Sequence, residues 1–290
     1  MMKMSLTDNN LYISQRAFSS ETKIGILGMP YDCTSSFRPG SRFAPNAIRV
    51  VSNSIETYSP TLDKDLEDIY YTDFGDVPVI FGDPEENLKV IKKYHKELIE
   101  KNIKIIGIGG EHLITYPLIK NIIEQNADKK IVIIQFDAHL DLRDNYLGNR
   151  LSHASVINLL VREKNVSEII QIGIRSGTRE EFKFHKSNSK ISKAESPADL
   201  KKIADRLDGD SLLYLTLDLD VLDPSIMPGT GTPEAGGLTY RELIDFLKIL
   251  GDKKICGADI VELSPHYDLS GNSSVTAAKL LREILLIAGN

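Results

Sequence analysis

The apolar residues of this chain fall into short continuous runs that are separated by longer amphipathic stretches. Continuous apolar runs, rather than alternating ones, are typical of strands that a sheet buries on both faces. We predict strands over Lys23–Leu27, Ile103–Ile108, Ile131–Phe136, Ile169–Ile174, Leu212–Leu217 and Ile255–Val261. Strands that alternate with helices in this way indicate an α/β protein with a mostly parallel sheet.

Helix start signals fall between these strands. One kind is an Asp-Pro or Ser-Pro pair, which caps a helix and forms its first turn, and the other is a Thr followed three residues later by Glu, the spacing of a capping box. Apolar residues recur every three or four positions after these signals. We predict helices over Glu85–Lys101, Ala198–Leu207 and Ser274–Ile287, and two more that begin at Thr178 and Thr239.

Composition narrows the class of protein. The chain has 290 residues, of which 41% are hydrophobic and 26% charged, as expected of one globular domain with a large core. The formal net charge of −6 argues against a nucleic-acid partner. We expect no signal peptide, because residues 1–20 are polar, and no membrane-spanning run. Two cysteines give no disulfide framework, which favours the reducing cytoplasm.

Three polar motifs directly follow three of the predicted strands. They are Gly109–His112, Asp137–Asp141 and Asp218–Asp220. In open parallel sheets, ligands bind outside the carboxyl ends of the strands. Side chains of an extended strand alternate between its faces, so alternate residues of each motif should point the same way. We therefore expect one crevice to collect His112, Asp137, His139, Asp141, Asp218 and Asp220.

Two imidazoles and four carboxylates suit two divalent metal ions, because four negative charges balance four positive ones. A single Asp after a strand is more often a helix cap or a turn former, but three motifs together favour a metal site. Cys33 and Cys256 lie outside the motifs, and an oxygen-rich set with imidazole suits Mn²⁺. Co²⁺, Ni²⁺ and Zn²⁺ stay open. The residues thus predict a binuclear metallohydrolase.

Two glycine-rich segments have simpler interpretations. Gly107–Gly110 follows a strand, but His112 breaks the dinucleotide-binding fingerprint, which disfavours a Rossmann fold. Pro228–Pro233 reads as a tight loop, and its position after Asp218–Asp220 suggests that it also shapes the wall of the site.

The motifs also carry a family resemblance. Gly109–His112, Asp137–Asp141 and Thr216–Pro224 resemble the three metal motifs of the ureohydrolases, the superfamily of arginases and agmatinases. Further similar segments are Pro39–Arg42, Pro45–Arg49, Pro228–Pro233 and Asp259–Leu263. The resemblance implies an arginase-like three-layer α/β/α sandwich with two Mn²⁺ per subunit, assembled as a homotrimer or homohexamer. It leaves residues 1–21 as an N-terminal extension and 22–290 as a single catalytic domain.

The resemblance also implies roles for individual residues. The six residues of the crevice match the family's metal ligands, His153 falls at its proton-shuttle position, and Glu262 at the residue that holds the guanidinium group. Asp141 would orient the attacking water as well as bind metal. Taken alone, His153 reads equally well as a capping or surface histidine. Glu262 ends a buried strand, where an unpaired carboxylate is costly, so a small cationic guanidino substrate would supply its partner.

The segment Leu142–Ser152 suggests which guanidino compound is hydrolysed. It does not resemble the loop with which arginases hold the α-carboxylate and α-amine, and it is similar to the agmatinase loop. We therefore expect hydrolysis of agmatine to putrescine and urea, a step of polyamine biosynthesis. Ala154-Ser155 depart from the Gly-Thr of many agmatinases, which leaves close relatives such as guanidinobutyrase open, and arginase is a further alternative. A mononuclear zinc deacetylase or an inactive relative is less favoured, and His153 disfavours a formiminoglutamase.

Overall fold

A computed structural model of the chain describes residues 10–80, 82–207 and 209–289. The strands are β1 (Ile24–Met29), β2 (Tyr58–Ser59), β3 (Lys64–Asp65), β4 (Tyr71–Asp76), β5 (Lys104–Gly109), β6 (Ile131–Phe136), β7 (Val166–Ile172), β8 (Ile191–Lys193), β9 (Leu212–Asp218) and β10 (Ile255–Val261). The helices are α1 (Ala44–Ser52), α2 (Pro84–Ile99), α3 (Thr115–Gln125), α4 (Val156–Val161), α5 (Arg179–Ser187), α6 (Pro197–Arg206), α7 (Tyr240–Ile249) and α8 (Asn272–Ala288).

Within the described residues, eight strands form one sheet in the order β4-β1-β5-β10-β9-β6-β7-β8. Every neighbouring pair in this sheet runs parallel. The remaining two described strands, β2 and β3, form a small antiparallel hairpin. Because all strands of the main sheet run the same way, their carboxyl ends meet along one edge.

Helices cover both faces of this sheet. Along β6, Val132 and Ile134 face the apolar core shared with α1, α6, α7 and α8. Ile131 and Ile133 face a second core, shared with α2, α3, α4 and α5. Strands buried on both faces need apolar residues at every position, which is why the runs in the sequence are continuous. The fold is the expected three-layer α/β/α sandwich.

The predicted central strands agree with the observed ones to within three residues at each end, and the capping signals are confirmed. Both Thr-x-x-Glu pairs form capping boxes, and Asp83 and Ser196 cap α2 and α6 through their side chains. The elements that the pattern missed are β4, β8, the β2–β3 hairpin, α1 and α3, whereas the amphipathic stretch that His153 opens is observed as α4. β4 and β8 are edge strands with polar residues, and α1 and α3 lack a side-chain cap at their first turn.

Part of the predicted N-terminal extension packs against the domain. Tyr12 is buried, and its hydroxyl donates a hydrogen bond to the backbone carbonyl of Ala278 on α8, at 2.6 Å. The boundary at residue 21 stays a prediction, and residues 1–9 lie outside the described part. Among the described residues, no helix combines the length and hydropathy that crossing a bilayer requires.

A buried ion pair joins α1 to β4. The guanidinium of Arg49 donates to both carboxylate oxygens of Asp73, each at 2.8 Å, and also contacts Asp76. Asp73 further accepts the backbone N–H groups of Tyr12 and Gly75. The side chains of Arg49 and Asp73 are both fully buried, so each charge depends on the other for compensation.

We expect Arg49→Met to lower the free energy of unfolding by about 3–5 kcal/mol, because it leaves Asp73 as a buried charge without a counter-ion. Urea unfolding at a fixed metal concentration measures this change. The matched control is Arg162→Met, which breaks the exposed pair of Arg162 with Asp144 and should change the free energy by about 1 kcal/mol or less. Equal losses in both variants would contradict the assignment.

Candidate metal centre

The carboxyl ends of four adjacent strands position the candidate residues. In the sheet, β5, β10, β9 and β6 are consecutive neighbours. His112 lies just beyond β5, Glu262 just beyond β10, Asp218 at the end of β9, and the Asp137–Asp141 motif beyond β6. All three metal motifs therefore meet in one crevice, as expected.

The reason they converge differs in part from the expected one. β6 ends at Phe136, so residues 137–141 do not continue as a strand with alternating faces. Asp141 has a φ of 52°, in the left-handed region that non-glycine residues rarely adopt. Asp220 lies in a short 3₁₀ turn, Leu219–Val221. Turns after the strands, rather than the pleat, aim these side chains inward.

Four of the six residues form one cluster around His112. The Nδ1 atom of its ring lies 3.1 Å from an oxygen of Asp137 and 3.1 Å from an oxygen of Asp141. It lies 3.4 Å from an oxygen of Asp218. His112, Asp137 and Asp218 are all buried, and their ligand atoms lie close enough to hold one metal ion.

The second cluster surrounds His139. Its Nδ1 atom lies 2.9 Å from Oδ2 of Asp220 and 3.6 Å from Oδ1 of Asp137. These three residues also group closely enough to hold one ion. Because Oδ2 of Asp137 faces His112 while Oδ1 faces His139, this carboxylate is shared by both clusters. The six residues thus form two adjacent pockets.

The hydrogen bonds of His112 test whether a cation fits the first pocket. Its Nε2 atom lies 2.9 Å from the hydroxyl of Thr216, which donates its own proton to Asp259 at 2.6 Å. Thr216 must therefore accept from Nε2–H, which leaves a lone pair on Nδ1. That lone pair is buried, has no hydrogen-bond partner and faces three carboxylate oxygens. Only a cation between them turns this repulsion into attraction.

The pKa shifts agree with this requirement. Burial, together with the charges of Asp220 and Asp137, raises the pKa of Asp218 well above its usual value. Burial and the charge of Asp137 raise the pKa of Asp141 to about 7. Burial also raises the pKa of Glu111, next to His112, to about 8. Divalent cations lower all three pKa values, so bound ions keep these groups ionised.

A proton on His112 is the alternative to a cation in the metal-free protein. Burial alone lowers the pKa of His112, but the neighbouring carboxylates of Asp137, Asp141 and Asp218, which would accept a proton carried on Nδ1, raise it well above its usual value. For His139, burial likewise lowers the pKa, and the Asp220 charge and the contact with Asp137 raise it to about 12. Metal binding must displace these protons, so it competes with them as the pH falls.

Polar residues inside the buried strands support the ligands. Gln135 donates to Oδ2 of Asp137 at 2.7 Å, and Gln171 donates to Oε1 of Gln135 at 2.6 Å. Thr216 and Asp259 hold the ring of His112, as described above. Thr216 and Asp259 begin two of the segments that carry the family resemblance, but the sequence motifs did not include Gln135 and Gln171, and none of the four was predicted as a support. Each is a buried polar residue in an otherwise apolar strand, which is the signal that could have found them.

Glu262 lies where the crevice meets the first pocket. Its side chain is buried, and Oε1 accepts the backbone N–H of His112 at 2.7 Å. Its φ of 67° again lies in the left-handed region, a conformation that costs roughly 1–2 kcal/mol. Burial and the nearby Glu111 raise its pKa well above the usual value. Among residues 10–80, 82–207 and 209–289, no cationic side chain forms an ion pair with it.

His153 lines the same cavity as Glu262 and lies at the start of a 3₁₀ turn that leads into α4. Its Nδ1 atom lies 3.2 Å from the hydroxyl of Thr34, and Nε2 lies 3.4 Å from the hydroxyl of Ser36. The ring meets the edge of Tyr146 with 5.6 Å between centroids. Burial lowers the pKa of His153 to about 4. The neighbours Thr34 and Ser36 were not singled out in the sequence.

The clusters open into a cavity of about 210 Å³, a size suited to a small linear molecule. Its walls include Arg143, Tyr146, Glu181 and Thr232. Thr232 belongs to the Pro228–Pro233 loop and donates a hydrogen bond to Oδ2 of Asp220 at 3.2 Å. The loop therefore forms part of the wall.

Comparisons with known proteins agree with this geometry. The family model described as "Arginase family" matches residues 22–287. Agmatinase of Bacillus subtilis (strain 168) is 43% identical over 279 residues, which are 95% of each chain. N(1)-aminopropylagmatine ureohydrolase of Thermococcus kodakarensis is 37% identical over 260 residues, 88% of this chain and 87% of that one.

A solved structure is also similar. The crystal structure of agmatine ureohydrolase of Thermoplasma volcanium superposes with a TM-score of 0.82 at 33% identity, and the match covers 98% of this chain and 95% of that one. Sequence and fold agree over nearly the full length. The chain belongs to the arginase family.

Proposed function

We propose that the protein hydrolyses agmatine to putrescine and urea with two divalent ions held in the two pockets. The observation that carries this proposal is the buried Glu262 carboxylate, which faces the cavity beside the metal pockets and has no cationic partner among the described residues. A guanidinium group supplies that partner, since it is planar, permanently charged and donates paired hydrogen bonds to a carboxylate. The agmatinase names of similar proteins support the choice of substrate.

The pocket residues are arranged for attack on a guanidinium carbon. When bound, two divalent ions supply Lewis acidity that activates water near neutral pH. His112, Asp137, Asp141 and Asp218 would hold one ion. Asp137, His139 and Asp220 would hold the other. Asp141, at the mouth of the first pocket, accepts a hydrogen bond from the attacking water and so orients it.

Glu262 and His153 serve the two ends of the reacting group. Glu262 fixes the guanidinium through its outward carboxylate oxygen, because Oε1 is already engaged by the N–H of His112. His153 faces the cavity with Nε2, from which it can pass a proton to the leaving amine. The carbon–nitrogen bond breaks as that amine is protonated, and urea and a primary amine are released.

The cavity mouth favours a substrate without a carboxylate. Among the described residues, Arg143 is the one arginine or lysine that lines the cavity, and Glu181 pairs with it at 2.9 Å. Arg143 also lies over the ring of Tyr146, 5.4 Å from its centroid. Arg150 is exposed and points to Asp144. A substrate carboxylate would therefore have to displace Glu181 or stay unpaired.

Other functions fit less well. A guanidino acid would need Arg143 to leave Glu181, which also accepts from Thr178 and from the N–H of Leu142. A mononuclear zinc deacetylase needs only a subset of the six ligands, and here both pockets are complete. The same completeness argues against an inactive relative.

We extend the proposal to the setting of the enzyme. Imidazole and carboxylate donors without thiolate favour Mn²⁺. Both cysteines are free, in keeping with a reducing cytoplasm. A homotrimer or homohexamer, and a role in polyamine biosynthesis, rest on the family resemblance alone. Sedimentation of the purified protein measures the first of these.

The first prediction concerns metal content. We expect wild-type protein to retain two divalent ions per chain and Asp220→Asn to retain at most one, because the variant loses a carboxylate of the second pocket. Elemental analysis after dialysis gives the count. Asp245→Asn, on the exposed face of α7, is the control and should keep both ions. Two tightly held ions with full activity in Asp220→Asn would refute the assignment.

The second prediction concerns His153. Its replacement by Ala should lower kcat for agmatine by about 10²–10⁴-fold, the usual contribution of general acid–base catalysis. Metal content should be unchanged, since His153 belongs to neither pocket. His185→Ala, on α5 outside the cavity lining, serves as the control. Loss of metal in His153→Ala would instead show that His153 supports the ligands.

The third prediction concerns substrate choice, measured as urea release from a panel of guanidino compounds. We expect kcat/KM for agmatine to exceed that for arginine by on the order of a thousandfold. The carboxylate of arginine would stay unpaired or displace Glu181, and each 1.36 kcal/mol of transition-state stabilisation lost in this way lowers the rate tenfold. The panel includes 4-guanidinobutyrate and aminopropylagmatine. Equal values for agmatine and arginine would overturn the agmatinase proposal and leave guanidinium hydrolysis intact.

A further inference from the structure

A buried carboxylate next to the first metal pocket has no part in the chemistry above. Glu111 precedes the ligand His112 and is fully buried. Its Oε2 atom accepts the backbone N–H of Thr34 at 2.7 Å, and its Oε1 atom accepts the hydroxyl of Thr34 at 2.5 Å. Glu111 is thus bound through both oxygens to Thr34, in a neighbouring loop whose next residue, Ser35, also donates its backbone N–H to this carboxylate.

The same Thr34 hydroxyl contacts His153. The backbone N–H of His153 donates to it at 3.0 Å, and Nδ1 of the ring lies 3.2 Å away. A chain of short contacts therefore runs from Glu111 through Thr34 to the imidazole that faces the substrate cavity.

The number of donors and acceptors along this series of hydrogen bonds fixes where the protons lie. A hydroxyl has one proton to donate and two lone pairs with which to accept. With Glu111 ionised, as bound divalent ions would keep it, the proton of Thr34 goes to Oε1 of Glu111, and one lone pair accepts the N–H of His153. The second lone pair remains for the ring, so Nδ1 of His153 is the donor in this contact, and the Ser152 hydroxyl, 3.5 Å from Nδ1, can accept from it as well. The Nε2 atom then presents a lone pair to the cavity, where the Ser36 hydroxyl lies 3.4 Å away and can donate to it.

We propose that Glu111, acting through the hydroxyl of Thr34, is a positioning residue that holds His153 in the Nδ1–H tautomer with Nε2 free to collect a proton. The inference rests on the proposed role of His153 as proton relay. Nε2 gains a proton as water attacks and gives it to the leaving amine, and Nδ1–H stays bonded to Thr34 throughout. A buried carboxylate behind Nδ1–H also stabilises the imidazolium that forms in between.

Backbone hydrogen bonds fix the two segments that carry Glu111 and Thr34 against each other. The N–H of Gly110 donates to the carbonyl of Met29 at 3.0 Å, and the N–H of Glu111 donates to the carbonyl of Tyr31 at 2.7 Å. A Cβ at Gly110 would lie 1.9 Å from the Tyr31 carbonyl oxygen, so only glycine permits this approach. The loop that carries Thr34 is therefore fixed against the motif that carries Glu111.

The kinetics of Thr34 variants test the series of hydrogen bonds from Glu111 to His153. Thr34→Val removes the hydroxyl and keeps the shape, and we expect kcat to fall about 10–100-fold with KM for agmatine little changed. Thr34→Ser restores the hydroxyl and should recover most of the activity. Thr22→Val is the matched control, because it removes a buried hydroxyl that pairs with Thr72 at the far edge of the sheet. It should leave kcat unchanged.

Glu111→Gln tests the tautomer directly. The amide oxygen must take the place that accepts the N–H of Thr34, so the NH₂ group takes the other place and donates to the Thr34 hydroxyl. That hydroxyl then donates its own proton to Nδ1 of His153, and the tautomer inverts to Nε2–H. Two-bond ¹H–¹⁵N spectra distinguish the two tautomers, with Zn²⁺ in place of paramagnetic Mn²⁺ and His153→Ala to assign the signals.

The outcomes separate this inference from the proposed function. Nδ1–H in the wild type and Nε2–H in Glu111→Gln, with kcat lowered and metal content unchanged, would support it. The inference about Glu111 would be overturned by Nε2–H in the wild type, by the same tautomer in both proteins, or by full kcat in Thr34→Val. If His153→Ala is still defective in that case, the proposed relay role of His153 stands. Full activity of His153→Ala would instead remove the relay itself.

Discussion

The site depends on the repulsion among carboxylates that a parallel sheet gathers at one edge. Asp137, Asp141, Asp218 and Asp220 lie within reach of two imidazoles, and no lysine or arginine pairs with them among the described residues. Burial makes this arrangement costly, as the raised pKa values of Asp141 and Asp218 reflect. Two divalent ions would remove that cost. Metal binding is therefore coupled to the stability of the loops beyond the strands, and protons compete with the metal ions for the same groups.

The sheet makes this concentration of charge possible. Four adjacent parallel strands end at the same level, and their apolar residues fix both cores on which the helices pack. Buried polar residues within the strands, such as Gln135 and Thr216, then set the orientation of individual ligands. The precision of the pockets therefore comes from strands and not from the mobile ends of long side chains.

Much of the fold and of the candidate site was predictable, because one sequence pattern marks both the central strands and the candidate ligands. A buried strand is a continuous apolar run, and a polar motif at its end marks the sheet edge, so the three motifs could be placed together without coordinates. The pleat argument for Asp137–Asp141 was wrong in detail, because a turn with a left-handed Asp141 replaces the strand. The edge strands, the uncapped helices and Thr34 gave no such signal. Contact between residues 34, 111 and 153 depends on how two loops pack, which no local spacing encodes.

The packing of those loops makes Gly109–His112 the segment to which every reacting group is tied. His112 contributes a lone pair to the first pocket, and its backbone N–H holds Oε1 of Glu262. The backbone N–H of Glu262 in turn donates to the carbonyl of Gly110 at 2.9 Å. Glu111 reaches His153 through Thr34 on the opposite side. The first metal pocket, the proposed guanidinium anchor and the proposed proton relay thus share one four-residue reference. The Leu142–Ser152 loop, by contrast, joins Asp141 directly to His153, and its Tyr146 meets the ring of His153. Changes in that loop would therefore act on substrate choice and on the relay together, while Gly109–His112 holds the relay from the side of Glu111.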